Sequence, residues 1–402
     1  MKKLLLILIC MVVSQWVMSQ ENSNLHDPDK YYFHKLRSGV ESSGHVFLKN
    51  DKGIVAFLGG SITYNHGWRD SICQYLTNKF PNTEFEFINA GIPSMGSTPD
   101  AFRLEKDVLS MRKIDLLFVD CAVNDRTNGR TSLERVRATE GIVRHSLESN
   151  PILDIVLLYF ADPWKMEDYR SGNVPAEILD YEKVAKHYNI STINLAKEVT
   201  SRIGAGEFTW EDDFIDLHPS PFGQGIYARS IESLLEKAYN RPYGQVGTDL
   251  EKALPMKIDE FCYNKGALIP IREFENVRGW NIIEDWKPED VAGTRTGYVN
   301  VPMLVANTSG TELNIEFEGR AIGIVVAAGP DAGIIEYCID NGAWEKLDLF
   351  TKWSENLHLP WYYLLNAELP EQNHLLKIRI SEDKNQASNG NACRIAHFFV
   401  NK

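Results

Sequence analysis

Val55-Ala-Phe-Leu-Gly-Gly-Ser-Ile-Thr63 is an apolar run that ends in two glycines and a serine. The run reads as a buried strand. Gly59 and Gly60 permit a tight strand-to-helix turn, which would lift Ser61 to the carboxyl end of a sheet with its hydroxyl exposed. Open α/β sheets bind ligands at that edge, and the N–H of Ser61 would be free to face negative charge developing there. Strand-Gly-Gly-Ser turns also bind phosphate or merely redirect the chain, so the meaning of this one depends on what else reaches the same edge.

On both sides of that stretch, short apolar runs alternate with amphipathic segments from Gly53 to about Ala238. The pattern predicts strands at 54–58, 85–89, 115–120, 154–160 and 191–195, with helices at 68–79, 100–111, 132–149, 176–188 and 221–239. Runs such as Ile114-Asp-Leu-Leu-Phe-Val are apolar on both faces, as covered parallel strands are. The fold expected is α/β: a flavodoxin-like three-layer α/β/α sandwich around a five-stranded parallel sheet. Past Arg241-Pro242-Tyr243-Gly244 the texture changes to alternating segments, 312–318, 322–327, 334–339 and 375–380, with turn signals at Gly329-Pro330 and Asn341-Gly342. These predict an antiparallel β-sandwich. The boundary falls between Arg241 and Phe261, giving an α/β domain over 20–245 and a C-terminal β-sandwich domain over 246–402.

Residues 1–19 read as an export signal, with Lys2 and Lys3 ahead of an apolar run and Ser19 near its end. The expected location is therefore secreted or periplasmic. A lipid anchor at Cys10 is disfavoured, because Ile9 stands where a small residue is wanted. No later stretch approaches the roughly 20 apolar residues of a membrane span. The formal charge of −13 becomes −15 without Lys2 and Lys3, which argues against nucleic acid as a partner. The five cysteines beyond the signal are odd in number and lack zinc-type pairing, so neither a disulfide framework nor a metal site is expected.

Two more elements end strands of the same sheet, and a third stands in the loop leading into the last helix. Asn89-Ala-Gly-Ile-Pro-Ser-Met-Gly-Ser97 offers Gly91, where backbone can approach a ligand. Val119-Asp-Cys-Ala-Val-Asn-Asp125 brings Asn124, whose amide can donate to an oxyanion without titrating. The loop Trp210–Gln224 carries His218, held in extended backbone by Pro219. A neutral imidazole there could take the proton of the serine hydroxyl, with an upstream carboxylate fixing its tautomer. Asn65, His66, Arg69 and Asp70 are pocket-lining or helix-capping candidates, Asp162-Pro-Trp-Lys165 is a candidate substrate wall, and Asp125 reads as a turn brace.

Gly59-Gly-Ser-Ile-Thr, Gly91, Ala122-Val-Asn-Asp and the acidic segment ending in His218-Pro219 resemble, in order and spacing, the four blocks of the SGNH/GDSL hydrolase superfamily. The resemblance implies Ser61 as nucleophile, His218 as general base, an oxyanion hole from the N–H groups of Ser61 and Gly91 with the Asn124 amide, no metal and no cofactor. It also implies ester substrates, frequently acyl groups on carbohydrates or lipids. Gly60 replaces the aspartate of the common Gly-Asp-Ser block and Ala122 a usual glycine. The superfamily's acid lies three residues before the histidine, where this chain has Ile215. Asp216 is the first choice, because a residue at −2 in an extended loop projects to the same side as the histidine. Asp213 is the reserve, and a backbone carbonyl would leave a dyad.

The C-terminal domain holds Trp280, Trp286, Trp344, Trp353 and Trp361, five of the nine tryptophans. Such rings fill a sandwich core or stack on sugars. The expected activity is a secreted serine esterase removing acyl, most simply acetyl, groups from a glycan or other small ester. The rival readings are a glycosidase using Asp125, Asp213 or Asp216, and a non-catalytic glycan-binding protein. The sequence leaves the oligomeric state open.

Overall fold

The computed structural model describes residues 33–402 apart from 38–39, 111, 241–251, 253 and 275–278. The expected signal over 1–19 and the expected boundary at 245/246 lie outside the described residues.

The first domain is built on a sheet of β1 (His34–Lys35), β2 (Lys52–Gly59), β3 (Glu84–Gly91), β4 (Leu116–Asp120), β5 (Asp154–Leu158) and β6 (Ser191–Ile193). Its order is β1-β6-β5-β4-β2-β3, with β2 to β6 parallel. The five expected strands are all present. The sheet nevertheless has six, because β1 adds to the β6 edge antiparallel over two residues, too short a segment to show any periodicity. Every residue of β4 and β5 is buried, since helices cover both faces.

Helices Trp68–Lys79, Ser132–Ser149, Ala176–His187 and Pro221–Tyr239 stand where the apolar period placed them. The helix expected at 100–111 runs from Ser97 to Leu104 and widens into a π-turn over Glu105–Leu109. The short helix Ala122–Thr127 follows β4, in a stretch read as loop. The helix Pro163–Arg170 corrects another reading: Asp162 caps its N-terminus, and Lys165 is fully buried on Asp162 and Glu177. Asp162 and Lys165 are thus an internal brace, and of this segment only Pro163 and Trp164 are exposed.

The C-terminal part is a sandwich of a seven-stranded and a four-stranded sheet. Among the described residues its strands pair antiparallel but for Gly293–Thr294 on Leu357–His358, beside an isolated parallel bridge from Ala332 to Ala392. Strand Glu312–Glu318 alternates strictly between exposed and buried, the signature of one covered face. Trp280 sits in this core and Trp286 is buried in the cluster continuous with the first domain, whereas Trp344 and Trp353 are exposed.

The two parts are joined by packing. Phe102, on the helix Ser97–Leu104, meets Phe399 at 4.4 Å and Tyr263 at 4.9 Å between ring centres. At the rim, Arg130 donates to the Tyr362 carbonyl at 3.0 Å and Lys352 to the Thr127 carbonyl at 2.9 Å. The helix that follows the Asn89–Ser97 loop is thereby clamped between sheet and sandwich.

Candidate active site

Strand β2 ends at Gly59, and the chain turns at Gly60 into a single helical turn, Ser61–Tyr64. A Cβ on residue 60 would stand 2.0 Å from Asn124 Oδ1. Any larger residue at position 60 would require the Asn124 amide to move. With its oxygen against Gly60, the Asn124 amide nitrogen has no hydrogen-bond acceptor among the described residues. Below the turn, Arg103 is buried and donates to the carbonyls of Gly59 at 3.2 Å and Ala90 at 2.7 Å. Asp100 holds that guanidinium at 2.7 Å, so the ends of β2 and β3 are tied by one charged staple. Nothing in the linear sequence marks Arg103 as part of the site.

Ser61 Oγ and His218 Nε2 lie 2.8 Å apart. The loop that brings the imidazole there is pinned at both ends. Phe214 is buried against Trp210 and Tyr227. Ser220 returns its N–H to the Phe214 carbonyl at 2.9 Å and caps the helix Pro221–Tyr239. Ile215, at the usual acid position, has φ +81 and its side chain is 52% exposed, directed to solvent and not to the ring. Such a φ is costly for a β-branched residue.

Asp216 Oδ1 accepts the backbone N–H of His218 at 2.5 Å and stands 3.8 Å from Nδ1. It is near the ring without a hydrogen bond to it. Asp213 is turned away: its carboxylate accepts from Thr209 N at 2.7 Å and Thr209 Oγ1 at 3.2 Å. Asp216→Asn should therefore lower kcat by about 10-fold, the size of an imperfectly aligned charge effect. Asp213→Asn should change kcat less than about 2-fold and cost stability through its lost cap. Steady-state kinetics on a chromogenic acetyl ester, beside thermal melts, check both. A larger kinetic effect at Asp213 would contradict this geometry.

Gly91 requires correction. Its N–H donates to Asn89 Oδ1 at 3.0 Å, and its Cα packs under the turn after Ser61, where a Cβ would be 2.4 Å from Tyr64 N. It is the last residue of the edge strand β3, paired with Gly59, and its role is close packing. The residues of this loop that reach the cleft are Pro93 and Ser94. Met95 N–H closes on the Ile92 carbonyl at 3.2 Å, with Pro93 next and Ser94 at φ +73. This is the pattern of a type II turn, which turns the Ser94 N–H outward. That N–H has no acceptor among the described residues.

The cleft over Ser61 encloses about 360 Å³. Asn65, Ser94, Asn124 and His218 line it from the first domain, and Arg295, Trp353, Leu357 and Leu359 from the sandwich. Arg295 Nε is buried without a hydrogen-bond partner, and Trp353 is 44% exposed. Asn65 thus lines the pocket, whereas His66 and Asp70 pair with each other at 3.0 Å and Asp70 caps Gly67 at 2.9 Å. Asp125 is fully buried, bonded by Ser97 and Tyr181. The carboxylates named for glycosidic chemistry therefore do not converge on the cleft.

Behind the turn, burial dominates the carboxyl groups. Desolvation, with Asp100 nearby, pushes Asp120 up to about 8. Desolvation alone outweighs Arg103 at Asp100, which rises to about 6. Asp120 accepts from Thr63 Oγ1 at 3.3 Å. A carboxyl raised from 3.8 to about 8 on folding contributes stability that is complete below the unfolded value and is lost as pH rises through the folded one. The stability of wild type relative to Asp120→Asn should thus fall between about pH 4 and 8, by at most about 1.4 kcal/mol per pH unit. Urea unfolding of both proteins across that range checks the sign; a rising difference would contradict it.

A serine hydroxyl bonded to an imidazole at the carboxyl end of a parallel sheet, under unpartnered N–H donors, is the arrangement of a serine hydrolase. Residues 57–226 match the sequence profile of the GDSL-like lipase/acylhydrolase family. This part of the chain belongs to that family, and the protein is an ester-hydrolysing serine hydrolase. No curated protein matches the chain. Among solved structures, it is similar to a two-domain esterase (CEX) active on acetylated mannans, at 20% identity and a TM-score of 0.71 over 89% of this chain and 93% of that one. The same esterase co-crystallized with mannopentaose gives 19% identity and a TM-score of 0.69, over 89% and 92% of the two chains. The likeness is one of fold and spans both domains.

Proposed function

We propose that this protein is an exported esterase that removes acetyl groups from a glycan, a β-mannan in the first instance, through an acyl-enzyme on Ser61. The 2.8 Å approach of Ser61 Oγ to His218 Nε2 carries the reading. In the first step Oγ attacks the acetyl carbonyl carbon while Nε2 takes its proton. The oxyanion is met by the N–H groups of Ser61 and Ser94 and by the Asn124 amide. Collapse expels the sugar hydroxyl, protonated by the imidazolium, and a water attacking with His218 as base releases acetate. Asp216 stabilises the imidazolium by charge.

Three features support a glycan as the alcohol part: the Trp353 ring on the cleft wall, the Arg295 donors on the same wall, and the likeness to a two-domain esterase active on acetylated mannans. Indole faces stack on sugar rings, and a guanidinium donates to their hydroxyls. Export rests on the charged and apolar opening of the chain.

Acetate release from acetylated β-mannan, measured beside acetylated xylan and a chromogenic acetyl ester, tests the proposal. Arg295→Ala and Trp353→Ala should each raise KM for the mannan about 10-fold, equivalent to one lost contact of about 1.4 kcal/mol, with the small ester affected less than about 2-fold. Equal losses on both substrates would remove the sandwich from substrate recognition. No acetate from any glycan would defeat the glycan reading while leaving the esterase intact.

A further inference from the structure

The sandwich carries a second cleft, larger than the first at about 1120 Å³ and sharing no lining residue with it. Its walls come from residues 283–290, 305–307, 330–331 and 389–394, with His358. Its polar groups are fixed in place. Arg394 lies over the buried Trp286 ring at 5.3 Å and pairs with Asp331 Oδ2. His358, 3% exposed, is held by Asp290 at 2.9 Å. The two carrying loops are bonded to each other, Asn389 N to the Pro330 carbonyl at 2.8 Å and Ala392 N to the Asp331 carbonyl at 2.9 Å.

Within this wall four polar atoms are buried and have no hydrogen-bond partner among the described residues: Asp331 Oδ1, His358 Nδ1, Asn391 Oδ1 and Arg394 Nη1. A buried polar group without a partner is destabilising, so four in one cleft call for an occupant that both donates and accepts. Hydroxyl groups do both. An anion would face Glu289, Asp290 and Asp331, and a cation would face Lys287 and Arg394. The carbons of Pro288 and Pro330 among these groups suit the apolar face of a sugar ring.

We infer that this cleft is a second binding site for a neutral oligosaccharide, holding glycan units other than those over Ser61. The inference rests on the glycan reading above. Two segments contribute to both clefts. Leu357 and Leu359 line the first while His358, between them on one strand, lines the second. The chain from Asp290 to Arg295 likewise runs from the second to the first. A polymer engaged at both sites gains affinity through effective concentration.

The test is calorimetric binding of unacetylated mannopentaose, with xylopentaose in parallel, to the full chain and to Asn391→Leu and Asp331→Asn. Each variant should weaken binding about 10-fold or more, lower kcat/KM on acetylated mannan several-fold and leave the small acetyl ester unchanged. Asn391→Leu breaks no ion pair and decides the matter if Asp331→Asn loses small-ester activity through misfolding. Binding equal to wild type in Asn391→Leu, or no binding of either pentasaccharide by wild type, overturns the inference. If wild type releases acetate from mannan in those cases, the glycan reading survives and only the second site falls.

Discussion

Ser61→Ala should lower kcat for acetyl ester hydrolysis by about 10⁴–10⁶-fold, with an unchanged melting temperature. The hydroxyl is the only group the alanine lacks, and residues acting as one nucleophilic unit fail together. For the same reason His218→Ala should cost nearly as much, and the double variant hardly more than either single one. The residual rate belongs to substrate binding and the oxyanion donors. Additive losses would mean that serine and imidazole do not act on one proton. Burst kinetics with a chromogenic ester separate acylation from deacylation in each variant.

Asn124→Ala should lower kcat by about 10²–10³-fold, the effect of removing one preorganised oxyanion donor, with KM little changed. The position of Asn124 explains why the change acts on the transition state. Its oxygen rests on Gly60, where a Cβ would come within 2.0 Å, which fixes the amide and leaves its nitrogen for the substrate. Asn124→Asp retains the shape and turns the donor into an acceptor, so it should be as damaging as alanine. A rise in KM with unchanged kcat would assign Asn124 to ground-state binding instead.

Much of this arrangement is legible in the chain, for a physical reason. Buried parallel strands need continuous apolar runs, and the residues just past their carboxyl ends are the ones offered to a ligand. Ser61 and Asn124 could be picked out on those grounds before any distance was known, and His218 by its place beside Pro219 in the loop before the last helix. Gly91 could not be excluded, because the direction of its N–H depends on its place in an edge strand and on the Asn89 side chain. Ser94 was hidden by being a serine where a positive φ suggests glycine. Arg295 and Trp353 lie far along the chain in the other domain, and only the packing of Phe102 on Phe399 and Tyr263 brings them to the cleft. The carboxylate is the hardest case. Spacing chose Asp216 over Asp213, but the kink at Ile215 sets its oxygen 3.8 Å from the ring, a detail of backbone geometry with no sequence signature.

The central claim is that the Ser61 hydroxyl, activated by His218, is the attacking atom. Treating the protein with a fluorophosphonate ester and mapping the adduct by peptide mass spectrometry tests it most directly. A single adduct on Ser61, forming in step with loss of activity and absent in His218→Ala, is the result this account predicts. An enzyme that loses activity through an adduct elsewhere, or that still hydrolyses acetyl esters with Ser61 fully modified, would contradict it.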